Sequence, residues 1–558
     1  MTLFKLYKKY KLLLVAASLI STSCTIKKDF IEEISKYNSK ELSADNIKFW
    51  YLKDIHKDSL PGISLEIAEQ ELLKNKKGSE TIIAIIDTPL DIEHEYIKSS
   101  IWVNKDEIPN NNIDDDNNGY IDDVHGWNFQ GNVSGENISF MSMEYTRIIK
   151  RFDSIFKNKN AEDINLGDRE NFKLYTTAKK YYDERLAKSK KTAQQYTIMH
   201  TVYHQAKNQL MPYLNDDLSK SKLDSLKKVY PNNEDIQNAI TNVKTFTTYA
   251  TEQDINLGYL IYSNHLEVLL NLNYDERKKI GDNPNEINDK FYGNNNVNHS
   301  LDVLTHGTRI VAPIINPKQQ NDSVRGISSY NKIMPISISG YGDEHDKDIA
   351  LAIRYAVDNG AKVVNISFGK RLSLNKQFVF DAFKYAEKNN VLIVSSAGNN
   401  SMNLNDVNDY YPNDNIDNGN EVSKNFLLVG STTFKANDSL TSNFSNYGNN
   451  DVDIFAPGDM IRTTIPNNKY LYEKGTSMSS AITSGMAGLI FSYYPNLTAA
   501  EVKQIIMESG VSYDIMVYKP STSKEKELVP FSSLSKSGKI VNAYNALLMA
   551  EKVSKKKK

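Results

Sequence analysis

Five short apolar runs between residues 81 and 431 constrain the fold of this 558-residue chain more than any other feature. Each run is continuous, rich in β-branched residues and bounded by polar turns, as expected for strands buried on both faces of a sheet. Apolar residues at helical spacing separate the runs at 349–357 and 375–389. Strands that alternate with helices predict an α/β fold with a mostly parallel sheet. The runs are TIIAIID (81–87), KIMPISIS (332–339), KVVNISFG (362–369), NVLIVSSAGN (390–399) and FLLVGS (426–431).

Residues 131–300 interrupt this pattern. They are polar and poor in Gly and Pro, and they contain long helical stretches at 170–212 and 220–229. Tyr and Leu recur throughout the segment, so we expect an all-α insertion and not a disordered linker. The insertion lies between two candidate catalytic residues identified below, which suggests a lid over the active site. A stabilising domain remote from the cleft is the alternative.

The first 24 residues have the pattern of a secretion signal, with a basic start followed by the apolar run 12–20. Nine residues span about 14 Å as a helix, less than half of a bilayer core. Small residues then precede Cys24, the only cysteine of the chain. A single cysteine excludes an intramolecular disulfide and a Cys-based metal cluster. Residues 25–78 are predicted to be a polar leader with one helix at 65–74, and 553–558 a basic tail.

The segment around Cys24 resembles the lipobox of bacterial lipoproteins. This resemblance implies a lipid on Cys24 and attachment of the mature protein to a membrane of the cell envelope. Thr25, in place of an Asp after the cysteine, implies the outer membrane of a Gram-negative bacterium. An incidental or buried cysteine is the alternative interpretation.

The charge of the chain bears on its partners. Lys and Arg number 67 and Asp and Glu 69, which gives a net charge of −2. Such a balance argues against a nucleic-acid binder that relies on bulk positive charge. The sequence gives no indication of the oligomeric state.

Three separate segments carry residues that together can perform nucleophilic catalysis. Asp87 ends the first predicted strand, where functional groups of open α/β sheets gather. His306 precedes a glycine, and Ser477 opens a run of small residues typical of a closely packed helix. Imidazole activates a serine hydroxyl by taking its proton, and a carboxylate holds the imidazole in the required tautomer. Asn399, after a fourth predicted strand, offers an amide that can donate to an oxyanion.

Each of these residues, taken alone, has a plainer interpretation. Asp87 fits a turn cap after a strand, His306 a structural histidine, and Ser477 a helix N-cap. Their order along the chain, Asp, then His, then Ser, favours the catalytic interpretation because it is the order of the subtilisin triad.

The chain resembles the subtilisin-like serine peptidases, or subtilases, over residues 79–552 apart from the insertion. The resemblance implies a three-layer α/β sandwich and hydrolysis of polypeptide substrates through a triad of Asp87, His306 and Ser477. It also implies that Asn399 and the Ser477 N–H form the oxyanion hole. Two backbone walls, Ser367-Phe368-Gly369 and Ser396-Ala397-Gly398, would pair with an extended substrate. The matching motifs are IIDTPLDIEH (85–94), HGT (306–308), SFG (367–369), SSAGN (395–399), NFSNYG (443–448), FAPG (455–458), GTSMSSA (475–481) and VNAY (541–544).

Several positions depart from the family pattern near all three triad residues. Pro89 replaces the usual Gly after the Asp, Arg309 and Pro313 alter the segment after the His, and Ala481 replaces the usual Pro after the Ser. None of these changes removes a proton-transfer or oxyanion group. A pseudopeptidase that binds peptides without cleaving them is the alternative function. The leader shows no recognisable inhibitory pro-domain, although its length leaves room for a short one.

An acidic loop, DDDNNGYIDD (114–123), has the residue spacing of a calcium-binding loop. The predicted ligands are Asp114, Asp116, Asn118, the Tyr120 carbonyl and Asp122. We expect a structural Ca²⁺ here and no organic cofactor; a solvated acidic loop is the alternative. A lipid-tethered Ca²⁺ scaffold without enzymatic activity would require the triad motifs to be coincidental.

Overall fold

The computed structural model describes residues 47–318, 323–406, 410–415 and 420–557. The predicted signal segment and Cys24 lie outside these residues. The chain divides into two compact units: one contains Ile149–Tyr274, and the larger one contains the described residues of Ala44–Ile148 and Asp275–Lys558. Within the described ranges, none of the helices has both the length and the apolar character needed to cross a bilayer.

The larger unit is built on a nine-stranded sheet, and two separate strand pairs lie outside that sheet. The strands are β1 (Thr81–Asp87), β2 (Trp127–Asn128), β3 (Asn331–Ser337), β4 (Val363–Ile366), β5 (Leu392–Ser396), β6 (Phe426–Thr432), β7 (Ile454–Pro457), β8 (Ile461–Ile465), β9 (Lys469–Glu473), β10 (Val511–Ser512), β11 (Met516–Tyr518), β12 (Leu528–Pro530) and β13 (Lys539–Ile540).

The nine strands lie in the order β10-β13-β7-β6-β5-β4-β1-β3-β2. Only the edge pair β10–β13 is antiparallel among these strands. Each of the five apolar runs in the sequence forms one strand of this sheet. The predicted α/β fold with a mostly parallel sheet is therefore confirmed.

The α-helices share the apolar spacing or the caps that their sequences predict. They are α1 (Ile55–Asp58), α2 (Leu65–Ala68), α3 (Glu144–Phe156), α4 (Arg169–Leu214), α5 (Lys220–Val229), α6 (Glu234–Thr247), α7 (Glu252–Asn264), α8 (Arg277–Ile280), α9 (His306–Val311), α10 (Asp346–Asp358), α11 (Lys376–Lys388), α12 (Thr476–Tyr493), α13 (Ala499–Ser509) and α14 (Ala543–Lys555).

Helices cover both faces of the sheet, because alternate strand residues point to opposite sides. In β1, Ala84 and Ile86 belong to the buried cluster that also contains the apolar residues of α10 and α11. Ile83 faces the other side, where a Cβ added to Gly488 of α12 would lie 2.7 Å from its side chain. Small residues of α12, such as Gly488, therefore allow this helix to pack closely against the sheet. This close packing fixes the position of the first turn of α12.

The smaller unit is helical and has its own core. Helices α4 to α7 bury side chains against one another, among them Leu210, Ile240 and Ile255, each at 0% exposure. This unit covers fewer residues than the predicted insertion 131–300. Residues 131–148 and 275–300 belong to the larger unit, as the buried Arg277 illustrates by pairing with Asp348 at 2.6 Å.

The described part of the predicted leader is integral to the larger unit, which corrects the expectation of a polar extension. Trp50, Tyr51 and Leu52 are each 0% exposed. The Trp50 indole N–H donates to the carbonyl of Asp459 at 3.0 Å, and the Ala543 N–H donates to the carbonyl of Ile63 at 2.7 Å. The helix predicted at 65–74 is present as α2 (Leu65–Ala68) followed by a π-helical turn at Glu69–Leu73, whereas the large buried residues before it follow no helical or strand period.

Candidate active site

The carboxyl ends of neighbouring strands bring the predicted residues together. Asp87 is the last residue of β1, and Ser367 follows β4, the strand beside it. Ser396 ends β5, and Ser477 lies in the first turn of α12. Parallel strands point their carboxyl ends to one edge of the sheet, so the fold itself collects these side chains there.

Asp87 and His306 form a direct pair. The carboxylate is 1% exposed, and its two oxygens lie 2.8 and 3.0 Å from Nδ1 of His306. The backbone N–H of Thr88 also donates to Asp87 Oδ1, at 2.7 Å. The carboxylate is thus held in one orientation, and it assigns the proton of the neutral imidazole to Nδ1, leaving Nε2 as the base.

The environment of His306 raises its pKa. Burial lowers the pKa, but the charge of Asp87 and its hydrogen bond raise it by more. Glu473 adds to the increase and Arg309 opposes it. The side chain remains 39% exposed, so its Nε2 face is accessible from the cleft.

A close backbone approach locks the His306 segment against the end of β1. The Gly307 N–H donates to the hydroxyl of Thr88 at 2.7 Å. A Cβ on Gly307 would collide with the carbonyl oxygen of Thr88, so only glycine fits here. The HGT motif therefore fixes the position of His306 in addition to supplying its imidazole. Thr88 is a positioning residue that the sequence analysis did not identify.

Ser477 lies 8% exposed at the cleft, and its hydroxyl donates to the carbonyl of Ser367 at 2.9 Å. The structure thus pairs Asp87 with His306 but pairs Ser477 with the predicted wall. Rotation about the Cα–Cβ bond of Ser477 is needed to turn Oγ towards the imidazole. Catalytic hydrogen bonds are often loose in the absence of substrate, so this geometry is compatible with a nucleophile.

The side-chain oxygen of Asn399 is anchored by two hydrogen bonds, which leaves its NH₂ group free of this contact. Its Oδ1 accepts from the N–H of Thr476 at 2.9 Å and from the Thr476 hydroxyl at 3.0 Å. These two donors fix the amide so that its NH₂ group points elsewhere, and Asn399 is exposed on the cleft. The Ser477 N–H, in the first turn of a helix, has no carbonyl four residues before it within the helix. Both predicted oxyanion donors therefore border the same cleft.

The cleft has a volume of about 470 Å³ and is lined by Asp87, His306, Asn399 and Ser477. Its long walls are Ser367–Gly369 on one side and Ser339–Gly342 on the other. The second wall was not predicted from the sequence.

One edge of the second wall is already occupied by the chain itself. The N–H and carbonyl of Tyr341 pair with residues 139 and 141. Gly340 and Gly342, on either side of Tyr341, line the cleft. A Cβ on Gly340 would lie 2.6 Å from the Ser139 carbonyl oxygen, which explains why the wall is glycine-rich.

The predicted wall Ser396-Ala397-Gly398 is not available for pairing with substrate, which corrects that expectation. The Ala397 N–H donates to Val429 O, and the Gly398 N–H donates to the Thr476 hydroxyl. The carbonyls of Ala397 and Gly398 accept from the side chain and backbone of Asn446, both at 2.8 Å. These hydrogen bonds instead fix the backbone that leads to Asn399.

The departures from the family pattern are accommodated without removing a reacting group. Arg309 forms an ion pair with Glu473 of β9. The backbone of Pro89 accepts from the Thr88 hydroxyl at 3.3 Å, and Ala481 is fully buried in α12. Pro313 lies buried just after α9.

The acidic loop brings together three carboxylates, and one of them was not among the predicted calcium ligands. Carboxylate oxygens of Glu107, Asp114 and Asp116 lie within 4.8 Å of one another. Glu107 is 5% exposed, and its Oε2 has no hydrogen-bond partner among the described residues. Glu107 was missed because it precedes the loop motif.

Three of the predicted ligands also make contacts within the loop or with the core. The Asp122 carboxylate accepts from the N–H groups of residues 111 and 112. The Asn118 side-chain oxygen accepts from the Tyr120 N–H at 2.7 Å, and the Tyr120 ring packs against Trp127 and Tyr355. These contacts shape the loop, as do the hydrogen bonds that Asp114 and Asp116 accept from the N–H groups of residues 118 and 119, so the predicted ligand set stays a prediction. The three carboxylates around Glu107 have the chemistry that suits a hard cation.

A model of the Subtilase family matches residues 78–527, which is most of the chain. The chain belongs to the subtilase family. The resemblance inferred from the motifs is thereby confirmed, and this membership supports serine-type peptidase activity at the level of the family.

Among similar curated proteins, the cell wall-associated protease of Bacillus subtilis (strain 168) is 32% identical over 228 residues, 40% of this subtilase and 23% of that protein. The thermophilic serine proteinase of Bacillus sp. (strain AK1) is 31% identical over 211 residues, 38% of this chain and 48% of that protein. The chain thus spans about a quarter of the first relative and about half of the second.

The chain also aligns with parts of solved structures. Proteases from Pseudoalteromonas arctica align with a TM-score of 0.35 and 24% identity, over 44% of this subtilase and 70% of that chain. The epidermin leader peptide processing serine protease of Staphylococcus aureus aligns with a TM-score of 0.37 and 23% identity, over 46% and 66% of the two chains.

Proposed function

We propose that this subtilase is a serine endopeptidase that hydrolyses peptide bonds in polypeptides through an acyl-enzyme. The observation that carries the proposal is the Asp87–His306 pair beside Ser477 and Asn399 at one cleft. No other group of described residues in that cleft combines a nucleophile, a base with an oriented proton and an oxyanion donor.

In the proposed mechanism, His306 Nε2 takes the proton of Ser477 as Oγ bonds to the substrate carbonyl carbon. The imidazolium is stabilised by Asp87. The carbonyl oxygen, now an oxyanion, accepts hydrogen bonds from the Asn399 amide and the Ser477 N–H. His306 then gives the proton to the leaving amine as the C–N bond breaks. Water repeats the sequence to release the acid and restore Ser477.

Ser477 has to leave its hydrogen bond to Ser367 before it can react. That bond is a neutral hydroxyl–carbonyl contact, worth about 1 kcal/mol, and binding of substrate along Ser367–Gly369 supplies a competing donor for the carbonyl. The rotation is therefore a small cost that substrate binding offsets.

An extended polypeptide fits the cleft as an added strand between Ser339–Gly342 and Ser367–Gly369. The first wall contains two glycines, Gly340 and Gly342, and main-chain pairing of an added strand gives affinity without dependence on side-chain identity. Polypeptides are accordingly the proposed substrates.

The test is hydrolysis of an unstructured protein, such as a casein, by the chain lacking residues 1–24. We expect Ser477→Ala to abolish turnover and Asn399→Ala to lower kcat by about 10²–10³, because an oxyanion donor acts only in the transition state. Asn400→Ala, an exposed neighbour, is the matched control and should leave kcat unchanged. Substrate binding without turnover in folded wild-type protein would favour the pseudopeptidase.

For the acidic loop, the proposal is a structural Ca²⁺ held by Glu107, Asp114 and Asp116. Its support is the buried, unpartnered Oε2 of Glu107 beside two aspartates. Saturating Ca²⁺ should stabilise the protein by about 3 kcal/mol at 100-fold excess over Kd. Glu107→Gln, or Asp114→Ala with Asp116→Ala, should remove the calcium-dependent rise in Tm, and Asp106→Asn should keep it. No calorimetric Ca²⁺ binding by the wild type would contradict the site.

The proposed location is the cell envelope, with the mature chain anchored by a lipid on Cys24 in the outer membrane of a Gram-negative bacterium. The support is the sequence pattern of residues 1–25 alone. Mass spectrometry of the membrane fraction should find a lipidated N-terminal Cys24, and an unmodified Cys24 in the mature membrane-bound protein would contradict the anchor.

A further inference from the structure

The cleft wall Ser339–Gly342 is anchored at its first end by β1. The N–H of Ser339 donates to the carbonyl of Asp87 at 3.2 Å. Tyr341, inside the wall, pairs with the segment 139–141 through two backbone hydrogen bonds of 2.7 and 2.8 Å. Two of the four wall residues are glycines, which have the most backbone freedom to lose on folding. The position of the wall therefore depends on what holds its other end.

Arg147, in the first turn of α3, holds that other end. Its Nη1 donates to the carbonyls of Ser142 and of Asp343, the latter at 2.9 Å, and its Nη2 donates to the carbonyl of Glu344 at 3.1 Å. Nε and Nη2 both donate to the Glu144 carboxylate, Nε at 2.8 Å. A guanidinium has five N–H groups, so this one has a partner for each of them. Arg147 thereby joins the segment before α3 to the backbone that follows the wall.

The charge of Arg147 is balanced inside the protein. Its side chain is 10% exposed and pairs with the carboxylate of Glu144, and a carboxylate oxygen of Glu276 lies 3.9 Å from Nη1. The Glu144 N–H also donates to the Asp343 carboxylate at 2.8 Å, which is a second link between the same two segments. Movement of the guanidinium would leave buried donors and a buried charge without partners, at a high cost in free energy. Arg147 therefore holds the two segments in one relative position.

Arg147 acts on the cleft from behind the wall. The cleft is lined by Ser339–Gly342 and Glu344, whereas Arg147 lies outside this lining. A polypeptide that binds to a wall already held in place does not have to order that wall, so less conformational entropy is lost on binding. Arg147 belongs to the segment 131–300, which carries none of the matching family motifs. The chain therefore adds its own support to a wall of the cleft.

We propose that Arg147 is a positioning residue that holds the wall Ser339–Gly342 in the conformation that receives a polypeptide substrate. This inference rests on the proposed peptidase function and adds to it a residue that touches neither substrate nor the reacting atoms. The role requires arginine, because a lysine has three N–H donors on a single nitrogen and cannot serve the carbonyls of two segments and a carboxylate in the same planar arrangement.

The experiment compares Arg147→Lys with wild type, both as the chain lacking residues 1–24. Hydrolysis of an internally quenched decapeptide gives kcat and KM, and a small fluorophosphonate measures the reactivity of Ser477 without use of the wall. We expect KM to rise about 10-fold, with kcat and the labelling rate within about twofold of wild type, because only binding energy shared by ground state and transition state is lost. Hydrogen exchange should become faster at residues 339–344 and stay unchanged in β4 and β5.

Arg277→Lys is the matched control. Arg277 is also buried, at 4% exposure, and its guanidinium pairs with the carboxylates of Asp282 and Asp348, which lie outside the wall. This variant should lower Tm, as Arg147→Lys does, but leave KM and the exchange at 339–344 as in wild type. An equal rise of KM in both variants would show that lost stability raises KM, and it would overturn the inference.

A second variant keeps the inference testable if Arg147→Lys fails to fold. Glu144→Gln replaces the carboxylate that accepts two of the five hydrogen bonds of Arg147, so it should raise KM and speed exchange at 339–344 in the same direction. Unchanged KM and unchanged exchange in a folded variant, with normal fluorophosphonate labelling, would overturn the role of Arg147 alone. Absence of labelling in folded wild type would instead overturn the proposed function, while the exchange measurement would still show whether Arg147 holds the wall.

Discussion

At the scale of single residues, two opposite charges flank His306 and act on its pKa. Burial lowers that pKa, Asp87 raises it by more, and Glu473 and Arg309 then pull in opposite directions. A general base must be neutral, so activity is expected to rise with pH through the pKa of His306. The ion pair between Arg309 and Glu473, unusual for the family motif, thus adjusts the acid limb of the pH profile.

This arrangement predicts opposite shifts for two variants. Glu473→Gln should move the acid limb of kcat/KM to lower pH, and Arg309→Gln should move it to higher pH, with the plateau largely retained. Asp87→Asn should instead lower kcat by about 10⁴, as in other Ser-His-Asp peptidases. Profiles of kcat/KM against pH measure all three, and shifts of the same sign in both flanking variants would contradict the electrostatic assignment.

Glu344 is a second residue whose charge depends on its surroundings. Burial raises its pKa to about 7, the hydrogen bond from Ser339 lowers it, and the charge of Asp343 raises it. Because the pKa in the folded state is raised, its stabilising contribution is complete below the unfolded pKa near 4.5 and is lost as the pH rises through about 7.

Glu344→Gln should therefore stabilise the protein relative to wild type at pH 8 more than at pH 5, by about 3 kcal/mol at about 1.4 kcal/mol per tenfold change in proton affinity. Urea unfolding at the two pH values measures the difference. The exposed Glu136→Gln is the control. A difference that does not change with pH would show that folding does not raise the pKa of Glu344.

Some site residues could be predicted from the sequence and others could not, for a physical reason. Asp87, His306, Ser477 and Asn399 stand in short motifs because their chemistry requires fixed neighbours. Glu107 precedes the loop motif, and nothing beside it in the sequence marks its approach to Asp114 and Asp116. The need for glycine at positions 340 and 342 could not be predicted either, because the segment 139–141 that approaches them lies about 200 residues away in the chain.

At the scale of secondary-structure elements, the pattern of apolar residues predicted strands and helices where buried residues recur at regular intervals. The run 81–87 matches β1, and 220–229 matches α5. The pattern failed for the segment after residue 46, where isolated large residues are buried without any period. Trp50, Tyr51 and Leu52 form one short turn and place all three side chains in the interior.

The integration of this segment predicts the effect of truncation. A chain beginning at residue 47 should fold, whereas one beginning at residue 79 should not. Removing Trp50, Tyr51, Leu52, Ile63 and Leu65, each 0% exposed, forfeits about 1.5–3 kcal/mol per side chain, comparable in sum to the whole stability of a domain. Thermal unfolding by circular dichroism compares the two chains. A cooperative transition in the 79–558 chain would support a dispensable leader instead.

At the scale of the whole molecule, the two compact units have separate cores. The main buried cluster of the larger unit contains no residue from 149–274, and the helical unit buries its own set around Leu210 and Ile240. The ends of the helical unit come together, since the Lys150 ammonium donates to the Tyr274 carbonyl at 2.5 Å. The proposed catalytic residues all belong to the larger unit.

Replacement of 150–273 by a short Gly/Ser linker should therefore leave the labelling rate of Ser477 by a small fluorophosphonate within about twofold of wild type, because no core contact of the larger unit is lost. The ratio of activity on casein to activity on a short peptide then tests the lid. A ratio that rises on replacement supports a lid, and an unchanged ratio supports a remote stabilising domain. Loss of labelling would contradict the independence of the two cores.

The measurement that tests the central claim most directly is intact-mass analysis of the chain lacking residues 1–24 after treatment with a small fluorophosphonate in the presence of Ca²⁺. A small probe reacts even where a lid excludes proteins. The account predicts one adduct on wild-type protein, located at Ser477, and none on Ser477→Ala. A folded wild type that remains unlabelled, or an equal adduct on both proteins, would contradict the assignment of Ser477 as the nucleophile of a serine peptidase.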